Sequence, residues 1–209
     1  FIPADYRFHA RRVIQQQKDL KAQTERAGER TMGKKPEDLT PQERSELAQI
    51  AERQQRLSDQ ARQAIDQLDQ RAQQMKKADA AQSQGMQKAA ERGRQEQVPE
   101  KMQEASKNTE KNQTSEAARE QEEAIQSLEQ MAQDMNDAQR NRDAQLTRTL
   151  ADVLQSLERL IGEQSAQITV LAAAAPDGKF DGLDGPMITL RQNTLDVAEK
   201  ARGERAMAK

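Results

Sequence analysis

The stretch from Leu39 to Met75 restricts the fold of this chain more than any other, because it joins a helix start to a long seam. Thr40 and Glu43 have the spacing of a capping box, and Pro41 falls at the first helical position, where its missing N–H is not needed. Seam positions then recur at steps of three and four residues: Leu47, Ile50, Gln54, Leu57, Ala61, Ile65, Leu68, Ala72 and Met75. This spacing is typical of a coiled coil and predicts a helix from Pro41 to about Ala81, ~60 Å long.

The composition favours long paired helices over a thick globular core. Of 209 residues, 34% are hydrophobic and only 2% aromatic, whereas 33% are charged. So polar a chain fits disorder as well, but seams with the same spacing recur through most of its length. Helices of this kind bury little surface each and depend on their neighbours. The sequence therefore predicts an all-α fold of five to six helices, arranged as elongated antiparallel hairpins or a coiled-coil bundle.

Breaks in the pattern divide the chain into three predicted segments. These are a long N-terminal helical hairpin over 1–95, a middle hairpin over 96–140 and a C-terminal hairpin over 141–209, which contains an Asp-Gly-rich loop at 176–185. Helix breaks are expected near Gly85 and Asn141. The C-terminal hairpin contains the most apolar helix of the chain, which we expect at the centre of the bundle. Its predicted seam consists of Leu146, Leu150, Val153, Leu157 and Leu160.

Charge and residue types leave little room for catalysis or nucleic-acid binding. The formal net charge is -2, and basic residues alternate with acidic ones, so no basic stripe for phosphates is predicted. The absence of cysteine excludes thiolate metal sites and cysteine nucleophiles, and the single His9 excludes a multi-histidine metal site. No set of residues has the spacing of a catalytic, cofactor or metal site. We therefore expect a protein that is not an enzyme and has no cofactor.

Glutamines inside the seam are the first candidates for an interaction site. Gln17, Gln54 and Gln121 occupy seam positions, and a buried amide must find a hydrogen-bond partner. Either these amides pair and fix the register of the helices, or water reaches the seam there. Methionines at seam spacing also have two interpretations, core filling and an adaptable binding groove, of which core filling is favoured. They are Met75, Met86, Met102, Met131 and Met135.

The Asp-Gly-rich loop is the second candidate region. Phe180 and Leu183 either cap one end of the bundle or form a small docking knob for a protein partner. Three carboxylates crowd the same loop, at Asp177, Asp181 and Asp184, and carboxylate oxygens are the ligands that calcium prefers. Their spacing is not that of an EF-hand, so Asp-Gly pairs that turn the chain are the favoured interpretation.

Membrane insertion of this segment is not expected. The longest apolar run, Val170 to Ala175, is far shorter than the ~20 residues that span a bilayer. The chain begins with Phe1 and not with Met, so an upstream signal peptide or membrane anchor stays an open expectation.

Three stretches carry a resemblance to a known class of proteins: Leu39 to Leu57, Val98 to Met102 and Asn112 to Met131. Together they resemble the Gln- and Glu-rich coiled-coil region of large, uncharacterised, membrane-anchored bacterial envelope proteins. The resemblance covers residues 11 to 160. It implies a periplasmic or envelope location and a structural role, and it supplies no catalytic residues.

Two functions remain open at this point. One is a non-enzymatic scaffold or spacer of a bacterial envelope assembly, with protein partners that include a second copy joined through helical seams. The other is a holdase-like chaperone or carrier that binds apolar clients, and a cytoplasmic location is the alternative to the envelope. A scaffold covers its seam with a stable partner, whereas a holdase leaves it open.

Overall fold

A computed structural model describes the backbone of residues 4–178, 182 and 184–207 and the side chains of 10–176, 178, 182 and 184–203. The described residues contain no strand, so the all-α prediction is confirmed. Short 3-10 turns lie at Pro36–Asp38 and Ala175–Asp177. The helices are α1 (Ala4–Thr31), α2 (Pro41–Met75), α3 (Ala80–Gln95), α4 (Val98–Glu110), α5 (Thr114–Ala174) and α6 (Asp184–Met207).

Helix α2 starts with the predicted capping box. The Thr40 hydroxyl accepts a hydrogen bond from the Glu43 backbone N–H at 3.2 Å, and the Glu43 carboxylate accepts one from the Thr40 N–H at 2.8 Å. Lys34 also donates to that carboxylate. Hydrogen bonds from Lys34 and from the Thr40 N–H lower the pKa of Glu43 to about 2, so the capping group stays charged well below neutral pH.

The end of α2 differs from the prediction. The helix stops at Met75 instead of Ala81, and the Asp79 carboxylate starts α3 by accepting a hydrogen bond from the Gln82 N–H at 3.0 Å. The expected break near Gly85 is wrong, because Gly85 lies buried inside α3. A Cβ added there would lie 2.2 Å from the Ala138 Cβ, so this glycine permits close approach of two helices.

Contacts divide the chain into two units, Phe1–Arg140 and Asn141–Lys209, and α5 contributes to both. The helix continues through Asn141, where a break was expected. The predicted boundary between residues 95 and 96 falls inside the first unit.

In the first unit, α2 runs antiparallel to α1, α3 and α4, whereas α3 and α4 follow each other in the same direction along α2. Gln17 bonds Gln54 and Arg30 bonds Glu46, which sets α1 antiparallel to α2. Two serine hydroxyls on α3 and α4, those of Ser83 and Ser106, donate to α2 carbonyls at 2.7 Å each. The larger apolar cluster of this unit is Leu57, Ala61, Ile65, Leu68, Ala72, Met86, Ala89, Ala90, Val98, Met102, Ala124, Leu128, Met131 and Met135.

The second unit contains α6 and the C-terminal part of α5. The Gln167 amide donates to the Pro186 carbonyl at 2.9 Å, and the Asn193 amide donates to the Glu163 carboxylate at 3.3 Å. As the residue number rises on α6 it falls on α5, so the two segments run antiparallel.

Candidate functional site

A row of large apolar side chains on α5 is exposed in the second unit. We call it the α5 stripe. Its members follow steps of four and three residues without a break: Leu150, Leu154, Leu157, Ile161, Gln164, Ile168 and Leu171. The six apolar members are each between 43% and 63% exposed. Single exposed apolar residues are ordinary on protein surfaces, but a continuous row at heptad spacing indicates a surface that binds another helix.

A second row on the same helix packs against α6. It has the same spacing, and each of its members lies one residue before a member of the α5 stripe. All are buried or half-buried: Thr149, Val153, Ser156, Leu160, Glu163 and Gln167. On α6, Leu190, Asn193 and Val197 are half-buried in turn. Because successive residues of a helix are 100° apart, α6 covers the second row and leaves the adjacent α5 stripe uncovered.

This arrangement overturns the expectation that the C-terminal helix forms the centre of the bundle. The predicted seam mixes members of both rows: Leu146 and Val153 are half-buried and Leu160 is buried, whereas Leu150 and Leu157 are exposed. The signal in the sequence was the offset of one residue between two heptad patterns. It indicates a helix with two adjacent faces, and α6 covers only one of them.

The α5 stripe is almost free of charge. At the heptad positions on either side of it, only Glu158 is charged, and its neighbours there include Ala151, Ser165 and Leu160. A cavity of about 340 Å³ adjoins the C-terminal end of the stripe, where Leu171 and Val170 meet Met187 of α6. The α5 stripe is therefore an apolar surface with one polar side chain, the amide of Gln164.

The predicted interaction residues Gln54 and Gln121 lie together inside the first unit, fully buried with Gln17. The amides of Gln17 and Gln54 donate to each other's oxygens at 3.0 Å in both directions. Gln121 donates to the Gln54 oxygen at 2.8 Å and to the Thr24 hydroxyl at 3.0 Å. These hydrogen bonds agree with the interpretation in which the seam amides pair with one another, and not with the one in which water reaches the seam. These amides join α1, α2 and α5 and are not accessible to a partner.

The loop candidates fall largely outside the described residues. Phe180, Leu183 and Asp181 belong to the part of the chain that is not described, as does the side chain of Asp177. Their proposed roles as bundle cap, docking knob or calcium ligands stay predictions. Within the described ranges, no group of three His, Cys, Asp or Glu side chains has the geometry of a metal site.

Among the ion pairs of the described residues, the most buried carboxylate is that of Asp134, on α5 in the first unit. Arg92 Nε lies 2.7 Å and Lys88 Nζ 2.8 Å from its oxygens. Burial raises the pKa of Asp134, but hydrogen bonds from Arg92 and Lys88 outweigh burial and lower the pKa below its ordinary value. A carboxylate held ionised by two cations is a weak proton acceptor, so this group joins α3 to α5 and is a poor candidate for a general base.

The first unit also contains an apolar groove of about 560 Å³ between α1, α2 and α5, lined mainly by alanines and glutamines. Ala10, Ala61, Ala64 and Leu68 lie on its walls, with Met131 and Met135 beneath. Four of the five seam methionines are buried in this unit, as the core-filling interpretation predicted. The described residues that line the groove form no row of exposed large apolar side chains, so it is the weaker of the two candidate surfaces.

In the described part of the chain, no helix has the length and apolar character needed to cross a membrane. No protein-family model, curated protein or solved structure matches this chain.

Proposed function

We propose that this chain is a non-enzymatic interaction module that acts as a scaffold or spacer in a bacterial envelope assembly. In this proposal the first unit is an antiparallel helical bundle that gives the module its stability, and the second unit is a helical hairpin that binds a protein partner. The observation that supports it is the α5 stripe, whose six large apolar side chains are exposed at heptad spacing.

Contact between water and the apolar side chains of the α5 stripe is unfavourable in free energy, and packing against a partner helix removes that contact. Burying the exposed half of a leucine or isoleucine is worth about 1 kcal/mol, so six such residues together favour a partner by about 6 kcal/mol before the cost of association. A straight seam of this kind is the surface that coiled coils use, with each side chain packing between four of the facing helix.

The chemistry of the stripe favours a defined partner over the varied clients of a holdase. Surfaces that accept many partners are rich in methionine, which adapts its shape. The α5 stripe contains leucine, isoleucine and one glutamine, whereas Met86, Met102 and Met135 are buried in the first unit. Isoleucine is stiff at its first torsion and therefore selects for a complementary shape.

The envelope location rests on the resemblance of residues 11 to 160 alone. It predicts that antibodies against the chain detect it in the periplasmic or membrane fraction after cells are fractionated. Recovery with cytoplasmic markers would contradict the location and leave the binding role untouched.

Site-specific photo-crosslinking in the cells that make this protein tests the binding role. A photoreactive amino acid replaces Ile161 on the stripe, and the matched control replaces Gln155, which is exposed on the opposite side of α5. We expect one or a few discrete products from position 161 and none from position 155. A continuous ladder of products would favour the holdase, and no product from position 161 would contradict an interaction module.

A further inference from the structure

We propose that the α5 stripe is covered by the α5 stripe of a second copy of this chain, in a parallel pair with the two helices in register. The inference rests on the proposed function of the second unit as an interaction module, and it names the partner. Each copy contributes its α5 and its α6, so the assembled interface contains four helices around a two-fold axis.

The first argument is the choice of residue at alternate positions of the stripe. Steps of four and three residues assign Leu154, Ile161 and Ile168 to heptad position a. Position d holds Leu150, Leu157, Gln164 and Leu171. Isoleucine at a with leucine at d is the combination that favours two parallel strands, because the side chains at each layer then meet the facing helix at angles that suit their branching. The stripe is long enough for about three heptads, ~33 Å at 1.5 Å per residue.

The second argument is the single polar residue, Gln164. In a parallel pair in register, each residue of the seam faces its own copy, so Gln164 meets Gln164. An amide has both a donor and an acceptor, and two of them can bond reciprocally. The first unit contains this arrangement already, since Gln17 and Gln54 donate to each other at 3.0 Å. Other alignments place Gln164 against leucine or isoleucine and leave its amide unpaired, which is costly in a seam.

The third argument is charge. Partner choice in coiled coils is commonly set by charged residues at positions e and g, and on this stripe only Glu158 is charged among them. In a parallel pair the two copies of Glu158 lie on opposite flanks, and each faces the apolar Val153 of the other copy. Two copies therefore meet without like-charge repulsion, and the surface has no charge pattern that selects a different partner.

Disulfide cross-linking tests the partner and its direction together, because the chain has no cysteine of its own. In the full chain, Leu150→Cys places one thiol at position d, and Gln155→Cys is the control on the outer face. A parallel pair in register brings the two thiols at position 150 side by side, within the spacing that a disulfide needs. Under mild oxidation we expect the Leu150→Cys chain to form a covalent dimer at least about tenfold faster than the control.

Mixing experiments separate a parallel from an antiparallel pair. In an antiparallel pair that sets Ile161 against Leu157, the two Leu150 positions lie about 27 Å apart and each faces Ile168 of the other copy. Efficient cross-links between Leu150→Cys and Ile168→Cys chains, with few within either variant alone, would overturn the parallel arrangement. Equal rates for Leu150→Cys and Gln155→Cys would overturn self-association through this surface.

Gln164→Glu is a variant that a correctly folded monomer tolerates, because residue 164 is exposed. In the proposed pair it places two carboxylates against each other, so sedimentation equilibrium at pH 7 should show a dissociation constant about tenfold higher than the parent's. Protonation near pH 4 should restore most of the affinity. A dissociation constant that the substitution leaves unchanged at pH 7 would contradict the Gln164 contact.

The outcomes also distinguish this inference from the proposed function. A parent chain that stays monomeric from about 1 to about 100 µM, together with a discrete photo-crosslinked product of another protein from position 161, overturns the second copy and leaves the interaction module standing. A chain that stays monomeric and also gives no photo-crosslinked product from position 161 overturns both the second copy and the interaction module. Far-UV circular dichroism of each variant verifies that its helices have formed.

Discussion

The first unit covers its heptad seams with its own helices, whereas the second unit leaves the α5 stripe exposed. Leu57 on α2 is 6% exposed and belongs to the apolar cluster of the first unit, while Leu157 on α5 is 43% exposed. Both leucines occupy predicted seam positions. Periodicity therefore identifies which face of a helix is apolar, and the number of helices within reach decides whether that face becomes core or binding surface.

The largest test of this comparison is a matched pair of charge substitutions. Leu57→Asp should lower the free energy of unfolding by about 4 kcal/mol, because it buries a carboxylate without a partner. Leu157→Asp should cost less than about 1 kcal/mol in the monomer, since water reaches that side chain. The sequence by itself predicts severe loss of helix for both. Urea unfolding followed by circular dichroism, at low protein concentration, distinguishes these expectations, and equal losses would remove the contrast between the units.

A smaller effect is expected at the buried amides of the first unit. Gln54→Leu removes the acceptor of both Gln17 and Gln121 and should cost about 2 kcal/mol, because buried donors are left unpaired. The double change Gln17→Leu with Gln54→Leu should recover part of that loss, and a double-mutant cycle measures the coupling. Gln49→Leu on the exposed face of α2 is the control, with an expected change within about 0.5 kcal/mol. Additive single and double effects would indicate that the amides act independently.

Glycine substitutions should have opposite signs in the two units. Gly85→Ala should destabilise the first unit by about 1 to 2 kcal/mol, because its Cβ would lie 2.2 Å from Ala138 Cβ and overpacking exceeds the gain in helix propensity. Gly162→Ala meets nothing within 4 Å and should stabilise its helix by roughly 0.5 to 1 kcal/mol. Thermal melts of both variants give the signs. A stabilising Gly85→Ala would contradict the close approach of α3 and α5.

The smallest expected effect is the pH dependence of the α2 capping box. The pKa of Glu43 is lowered from 4.5 to about 2, so its stabilising contribution is present above pH 4.5 and is lost as the pH falls towards 2. Glu43→Gln keeps a hydrogen-bonding side chain but cannot titrate. The melting temperature of the parent should therefore fall more steeply between pH 4.5 and 2 than that of the variant, and parallel curves would contradict the assignment.

Local rules predicted local features well. The capping box at Thr40 and the start of α2 followed from residue types alone, and so did the buried positions of Met102 and Met131. The sequence left open whether Gln54 is paired or hydrated, because the answer depends on Gln17 and Gln121, which lie 37 and 67 residues away.

Predictions failed where a residue has more than one physical use. In the sequence, Gly85 resembles a helix breaker. In the structure, its lack of a side chain allows α3 to approach Ala138, a residue 53 positions later in the chain. The Asp79 carboxylate, three residues before Gln82, marked the true start of α3. The predicted seam through Leu150 and Leu157 merged two rows of α5, because it assumed one contact face on a helix where α6 covers only one of the rows.

The buried amides have a consequence for how the chain finds its fold. Helices that repeat every seven residues can slide past one another by one repeat and still match apolar with apolar, which gives kinetic traps of nearly equal energy. A slide of one repeat between α1 and α2 would set Gln17 against Leu47 or Ala61 and strand its amide. A slipped pairing of α1 and α2 is thus higher in free energy than the native one and comes apart more readily. The glutamines therefore favour the correct register during folding.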